Sequence, residues 1–285
     1  MSSYETHLSQ GEICNSVFKS AHFKHPHIQS HQTSKDMILS IVGRDEANHP
    51  VFLGSGQQDW FIWLNHARYL ERPGIFVDLA TNHPILRSNT LIWEECLGWH
   101  GVCIEPLPKL HKLIRRDRTC KLVPTCISTT TDTVKFWQAK ENEGGASRIS
   151  NTSTTWTGRP KPGSFVDIEC IPLSTALRSA GLTHVDVMSL DIEGHEASAL
   201  KSLDLHQISV DIIIAEEGER LVTEYPGLLE THDNRGTIYG LGDDTVFTRK
   251  GFKFAIEERG GSVIPNKYND KRPRPLKVQC WQMQP

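Results

Sequence analysis

From Pro73 onward the chain repeats one pattern: a short apolar run rich in β-branched residues, an acid at its end, a polar turn, then an amphipathic segment. "GIFVDLA" reaches Asp78, "GVCIEP" ends on Glu105, "VDVMSLDIEG" on Asp191 and "VDIIIAEEG" on Glu216. Runs that are apolar throughout belong to strands covered on both faces. Strands that alternate with helical segments predict a mostly parallel sheet with helices on both of its faces. In an open sheet of that kind ligands bind along the carboxyl edge, near the point where strand order reverses. Gathering carboxylates at one edge is costly unless they meet a partner, so the recurring acids predict a ligand cleft there.

The intervening segments fill in the same architecture. "GQQDWFIWLNHARYL" (56–70) spaces Trp60, Phe61, Trp63, Leu64, Ala67 and Leu70 by three and four, which predicts an amphipathic helix packed on the sheet, with a lid over a pocket as the alternative. Residues 88–101 predict a helix that Ser88 or Asn89 caps and Gly98 ends. Pro106 is placed to open the next helix, whose apolar stripe is Leu107, Leu110, Leu113 and Ile114. "KLVPTCIS" (121–128) and "TVKFWQA" (133–139) are the third and fourth strands. The polar segment 140–164 is a loop long enough to serve as a functional flap. "SFVDIECIPL" returns to strand, and Pro172 opens a short helix closed by Gly181. "GFKFAIEERGG" and "KVQCWQMQ" are expected to pair as an antiparallel terminal hairpin, and the basic loop between them is expected to be solvated.

A chain of 285 residues, 38% hydrophobic, suffices for one large α/β domain with an extension. The domain is assigned to 51–285. Residues 1–50 are a polar extension holding six of the fourteen histidines, and "HFKHPHIQSH" is a solvated loop sooner than a metal site, for want of cysteine partners. A formal charge of −3 argues against a nucleic-acid binder. No apolar run is long enough to span a bilayer, and "MSSYETHLSQGE" has no secretory character. Seven scattered cysteines without a C-x-x-C pair predict reduced thiols in a cytoplasmic setting. The alternative is a luminal chain that pairs some of Cys96, Cys103, Cys120 and Cys126.

Four strings carry a family resemblance: "FVDLATNHPILRSNT", "CLGWHGVCIEPLPKLHKLIRRDR", "LVPTCIS" and "SLDIEGHEASAL". Spaced as they are, they resemble the FkbM-type methyltransferases over about residues 73–217. The resemblance implies a Rossmann-like methyltransferase sheet, mostly parallel, with a reversed last strand and S-adenosylmethionine as cofactor. Against a family pattern similar to V-D-I-G-A-N-D-G, the residues Val77, Asp78 and Asn82 match, while Ala80 and Pro84 stand at glycines and His83 at an acid. Ala80 is a mild change provided its φ is negative. The cofactor has no pyrophosphate, so its loop need not offer a row of N–H groups; Thr81, Asn82, Ser88 and Asn89 could supply polar contacts. The resemblance further implies that Glu105 holds the ribose, that Ile127 and Ser128 flank the adenine, and that Asp191 lies beside the methyl group.

Methyl transfer is an in-line displacement, so the protein's main task is to align acceptor, methyl and sulfur. A hydroxyl acceptor also needs a base within hydrogen-bond reach. Asp191, Glu193 and His195 are the catalytic candidates, with Asp191 or His195 as the base and Glu193 orienting the acceptor. Asp191 and Glu193 share a face if the chain stays extended. Asp191, Glu193 and Glu216 are hard oxygen donors, yet the resemblance requires no metal. The expected acceptor is a hydroxyl or carboxyl of a small molecule or glycan. Two other readings compete: a non-catalytic ligand-binding descendant, favoured by the changes at residues 80, 83 and 84, and a nicotinamide-dependent oxidoreductase, disfavoured by the missing glycines.

Overall fold

The computed structural model describes residues 54, 58–85, 87–139, 147–149, 163–237 and 244–264. The histidine-rich stretch, "DMILSIVG", most of the 140–164 loop and "KVQCWQMQ" lie outside them. In chain order the elements are α1 (Gln58–Asn65), a 3-10 turn (Ala67–Tyr69), β1 (Ile75–Leu79), α2 (Leu91–Leu97), β2 (His100–Ile104), α3 (Pro108–Asp117), β3 (Lys121–Val123) and β4 (Cys126–Ile127). There follow β5 (Asp132–Ala139), β6 (Arg148–Ile149), β7 (Gly163–Ile171), α4 (Leu173–Ser179), β8 (His184–Leu190) and α5 (Glu196–Lys201). The chain continues through β9 (Ser209–Ala215), α6 (Gly218–Glu224), α7 (Leu228–Thr231), β10 (His232–Thr237), β11 (Thr245–Arg249) and α8 (Ala255–Glu258).

The main sheet has seven strands in the order β10-β11-β9-β8-β1-β2-β3. β9, β8, β1, β2 and β3 run parallel, and β11 returns antiparallel beside β9. Alternate side chains leave each strand on opposite faces. Phe76, Cys103, Val187 and Ile212 bury against the face covered by α1, α2, α3 and α8. Val77, Val102, Met188 and Ile213 bury against α4, α5 and α6. The expected α/β architecture with helices on both faces is therefore the observed one. The stripe of α1 lies in this core, with Phe61, Ile62 and Trp63 buried, which answers the lid alternative in favour of packing. Gly98 ends α2 in the left-handed conformation, at φ 66°.

Several local expectations are corrected. "KLVPTCIS" is two strands: β3 closes the main sheet, and beyond Pro124 β4 joins a second sheet, β4-β7-β5-β6. Proline has no N–H for the ladder, so the pairing breaks there. The helix after β2 starts at Pro108, not Pro106. "GFKFAIEERGG" is not a strand; it contains α8, whose start is held by the Phe254 N–H donating to Glu257 Oε2 at 2.8 Å. Among the described residues β10 and β11, earlier in the chain, pair antiparallel at the edge of the main sheet. The expectation of reduced thiols fails for four of the seven cysteines, which form the disulfides Cys103–Cys120 and Cys126–Cys170. Among the described residues no helix is long and apolar enough to cross a membrane.

Candidate active site

Strand order reverses between β8 and β1, and a cavity of about 240 Å³ opens at the carboxyl edge there. All four predicted strand-end acids line it: Asp78, Glu105, Asp191 and Glu216. Ala80, Thr81, Asn82 and Asn89 form the wall over β1, Ile127 the wall at the second sheet, and Glu193 and His195 the wall beyond β8. Of the residues expected to bind the cofactor or to catalyse, Ser128 alone is absent from the described lining. Its backbone N–H donates to Ile171 O at 3.1 Å, a strand-end contact of the second sheet.

The loop after β1 keeps the turn that glycine usually provides, without glycine. Ala80 has φ 57° and Asn82 φ 54°, so the condition under which Ala80 is a mild change is not met. Left-handed backbone costs a side-chain-bearing residue about 1–2 kcal/mol. Hydrogen bonds hold it in place: the Ala80 and Thr81 N–H groups both donate to Ile104 O, at 2.9 and 3.2 Å. Asn82 N–H donates to Glu105 Oε2 at 2.7 Å, and Leu107 N–H to Glu105 Oε1 at 2.8 Å. Three successive amides, those of residues 80–82, are thus spent within the protein and do not form an N–H cradle for the cavity. Burial lifts the Glu105 carboxyl to about 7 against the pull of those two amides. His83 and Pro84 do not occupy the cavity wall; His83 Nδ1 accepts from Ile85 N–H at 3.1 Å.

A buried guanidinium braces the same loop from behind. Arg118, 4% exposed, donates to Glu94 Oε2 at 2.6 Å, to Thr90 Oγ1 at 2.7 Å, to Ser88 Oγ at 3.2 Å and to Pro84 O at 3.3 Å. Thr90 Oγ1 in turn donates to Asp78 Oδ2 at 2.7 Å, and Arg118 lies 3.7 Å from that oxygen. Burial raises the Asp78 carboxyl, while Arg118 and Thr90 oppose the rise. Arg118 carries no local signal in "RRDRTC": its partners lie some thirty residues away, and only the fold brings them together.

On the other side of the cavity the chain turns sharply after Asp191. Glu193 has φ 56° and Gly194 φ 90°, so Asp191 and Glu193 are not on one face of an extended segment. The turn is pinned by Glu196, whose Oε1 accepts Ile192 N–H at 3.0 Å and Gly194 N–H at 3.2 Å. Burial lifts the Glu196 carboxyl to about 7. Asp191 and Glu216 follow the register partners Leu190 and Ala215 at the tips of β8 and β9, and burial raises both carboxyls. His195 makes no side-chain cap to α5. Burial holds its imidazole below the ordinary range, hence uncharged at neutral pH, and its buried Nε2 has no hydrogen-bond partner among the described residues. Asn82 Oδ1 and Asn89 Oδ1 are likewise buried and unpartnered there. The cavity therefore offers carboxyl groups, unused acceptors and one neutral imidazole, with Arg87 the one lysine or arginine among the described lining residues. That set suits a cationic or hydroxyl-bearing ligand and not a pyrophosphate.

An open α/β sheet with its pocket at the switch point and acids at the strand tips is a Rossmann-like fold with a nucleoside-sized cleft. Over residues 80–236, more than half of its length, the chain matches the family described as the methyltransferase FkbM domain, and it belongs to that family. Comparison with curated proteins finds no match. Among solved structures it is similar to a methyltransferase FkbM from Methylobacillus flagellatus KT, at 12% identity and a TM-score of 0.37 over 62% of this chain and 43% of that one. The chain thus spans less than half of that relative. It is similar also to the SAH-bound Podospora anserina methyltransferase PaMTH1, at 16% identity and 0.37 over 68% of this chain and 78% of that one. A putative O-methyltransferase from Klebsiella pneumoniae aligns at 12% identity and 0.39, over 84% and 96%.

Proposed function

We propose that the chain transfers the methyl group of S-adenosylmethionine to a hydroxyl of a small molecule or glycan. The observation that carries the proposal is the joint lining of one cavity by Glu105, the unpartnered Asn82 and Asn89 oxygens, Asp191 and the neutral His195. The cofactor fits that set: it brings hydroxyl and amino donors and a positive sulfur, and it lacks the phosphates for which the spent amides of residues 80–82 leave no place. When bound, it supplies an electrophilic methyl group on a sulfonium. Glu105 is the candidate to accept from the ribose hydroxyls, Ile127 to pack on the adenine, and Asn82 and Asn89 to accept from amino groups. Asp191 is assigned to the sulfonium end. His195 Nε2 takes the acceptor's proton and Glu193 orients the acceptor. The acids of the wall favour a neutral hydroxyl over a carboxylate acceptor.

Titration calorimetry with S-adenosylmethionine is expected to give heat, whereas NADH is not. With methyl-labelled cofactor and a panel of hydroxyl acceptors, His195→Ala is expected to cut transfer by about 10²–10⁴, the usual worth of a general base, with cofactor affinity nearly unchanged. Full transfer by the variant would remove His195 from the mechanism. The two disulfides support folding in an oxidising compartment in preference to the cytoplasm.

A further inference from the structure

Acids dominate the cavity wall, where Asp78, Glu105, Asp191, Glu193 and Glu216 all stand. Arg87 lies among them, on the loop between β1 and α2. It is exposed, whereas its neighbours Ser88 and Asn89 are buried, so it stands at the mouth of the cavity. Among the described residues no group forms a hydrogen bond or an ion pair with the Arg87 side chain. Arg118, the guanidinium behind the same loop, is committed to Glu94, Thr90, Ser88 and Pro84.

The chain on either side holds Arg87 in that place. The Ser88 N–H donates to Ile85 O at 3.3 Å. Ser88 Oγ accepts from the Thr90 N–H at 3.3 Å and from the Leu91 N–H at 3.1 Å. Asn89 Nδ2 donates to Ser189 Oγ on β8 at 3.0 Å. Between these anchors Arg87 adopts the left-handed conformation, at φ 59°. A residue with a side chain keeps such a backbone where its surroundings over-determine it, and residues of this kind gather at ligand sites.

The methionine end of the cofactor carries an ammonium and a carboxylate on one carbon, so a site for it needs acceptors and a cation side by side. Asn82 Oδ1 and Asn89 Oδ1, on the same loop as Arg87, are buried acceptors without partners among the described residues. The carboxylate would meet like charge in the acids of the wall, and that repulsion is costly away from bulk water. A guanidinium offsets it, and its fork of donors matches the two oxygens of a carboxylate. We infer that Arg87 is a specificity-determining residue: it pairs with the cofactor's carboxylate at the mouth of the cavity, while the ammonium turns inward to Asn82 and Asn89. This role rests on the cofactor reading above and adds to it the residue that selects a ligand still bearing its carboxylate.

The test is titration calorimetry of the full chain with S-adenosylhomocysteine and with its decarboxylated form, which keeps the amino group. Arg87→Met removes the charge from an exposed side chain, and an unchanged melting temperature checks that the variant is folded. It is expected to bind S-adenosylhomocysteine about tenfold or more weakly, the scale of one charge-assisted hydrogen bond, and the decarboxylated form within about threefold of the parent. Arg87→Lys keeps the charge without the fork, and its affinity for S-adenosylhomocysteine should fall between those of the parent and Arg87→Met. If Arg87→Met binds S-adenosylhomocysteine as the parent does, the pairing is overturned and Arg87 is left to an anionic group of the acceptor. A variant that weakens both ligands alike overturns it too, since Arg87 then shapes the cavity without reading the carboxylate. A parent that binds neither ligand overturns the cofactor reading itself, and the role of Arg87 falls with it.

Discussion

Ala80 is where the chain departs most visibly from the glycine that its turn calls for. Its φ of 57° lies in the left-handed region, as do those of Asn82, Arg87, Glu193 and Glu217. The first four of these line the cavity, and the fifth directly follows Glu216. Strain of this kind persists where neighbouring contacts over-determine it, and it gathers at functional sites. At residue 80 the contacts are the paired N–H groups on Ile104 O. Asparagine tolerates the left-handed region better than alanine does, so relief is larger at Ala80 than at Asn82. Glycine would remove a steric cost of about 1–2 kcal/mol and give back about 0.5–1 kcal/mol in chain entropy. Ala80→Gly is therefore expected to stabilise the protein by about 0.5–1 kcal/mol, read as a higher urea midpoint at unchanged m-value. An unchanged or lower midpoint would mean that the turn is not strained by its methyl group.

The elements most legible in sequence are those whose environment is uniform. β1, β8 and β9 are covered on both faces, so "IFVDL", "HVDVMSL" and "SVDIIIA" read as continuous apolar runs, and the acids beyond them mark the cleft. What stays illegible depends on distant pairing. Nothing near "KLVPTCIS" says that β4 will join β7, whose Cys170 is the register partner of Cys126. The alternation of Phe252, Phe254 and Ile256 has strand period, yet Phe254 and Ala255 are buried at the start of a helix that docks on α1. That docking has a titratable hinge: the Ala255 N–H donates to His66 Nδ1 at 3.2 Å. Burial is the main cause that drives the His66 imidazole down to about 4. The unfolded chain, near 6.5, binds more protons than the native one between those values, so stability is complete above pH 6.5 and is lost as pH falls toward 4. At about 1.36 kcal/mol per unit the loss approaches about 3 kcal/mol. Glu105 and Glu196, lifted to about 7, act in the opposite sense, since they lose stability as pH rises from about 4.5 to 7. A comparison with His66→Asn isolates the histidine, because asparagine keeps an acceptor and does not titrate. Urea unfolding across pH 4–6.5 should show the parent gaining on the variant as pH rises, by up to about 3 kcal/mol, and parallel curves would exclude His66 as the acid-sensitive contact.

At the scale of the molecule, two sheets share one cavity, and a disulfide stands in each. Cys103–Cys120 links β2 to the residue before β3 across 17 positions, and Cys126–Cys170 links β4 to β7 across 44. In the chain-entropy account such closures contribute about 3 and about 4 kcal/mol, a large share of the ~5–15 kcal/mol that holds a domain folded. Their consequences for the site should differ. Cys126 lines the cavity beside Ile127, and the second sheet also brings Phe136 and Ile149 to its wall. Cys103 instead points into the core on the face that bears α2 and α3. Removing the Cys103–Cys120 pair is expected to lower the melting temperature by roughly 6–12 °C and the Cys126–Cys170 pair by roughly 8–16 °C, at about 2–4 °C per kcal/mol for a domain of this size. The Cys126→Ala/Cys170→Ala variant should in addition weaken S-adenosylmethionine, because the wall assigned to the adenine loses its tie. The Cys103→Ala/Cys120→Ala variant should bind as the parent does. Alkylation followed by mass spectrometry checks the premise, since all four cysteines must resist labelling until a reductant is added. If they label in the native protein, the bonds are absent and both sheets stand by packing alone; if both double variants bind the cofactor equally well, the second sheet is no part of the adenine wall.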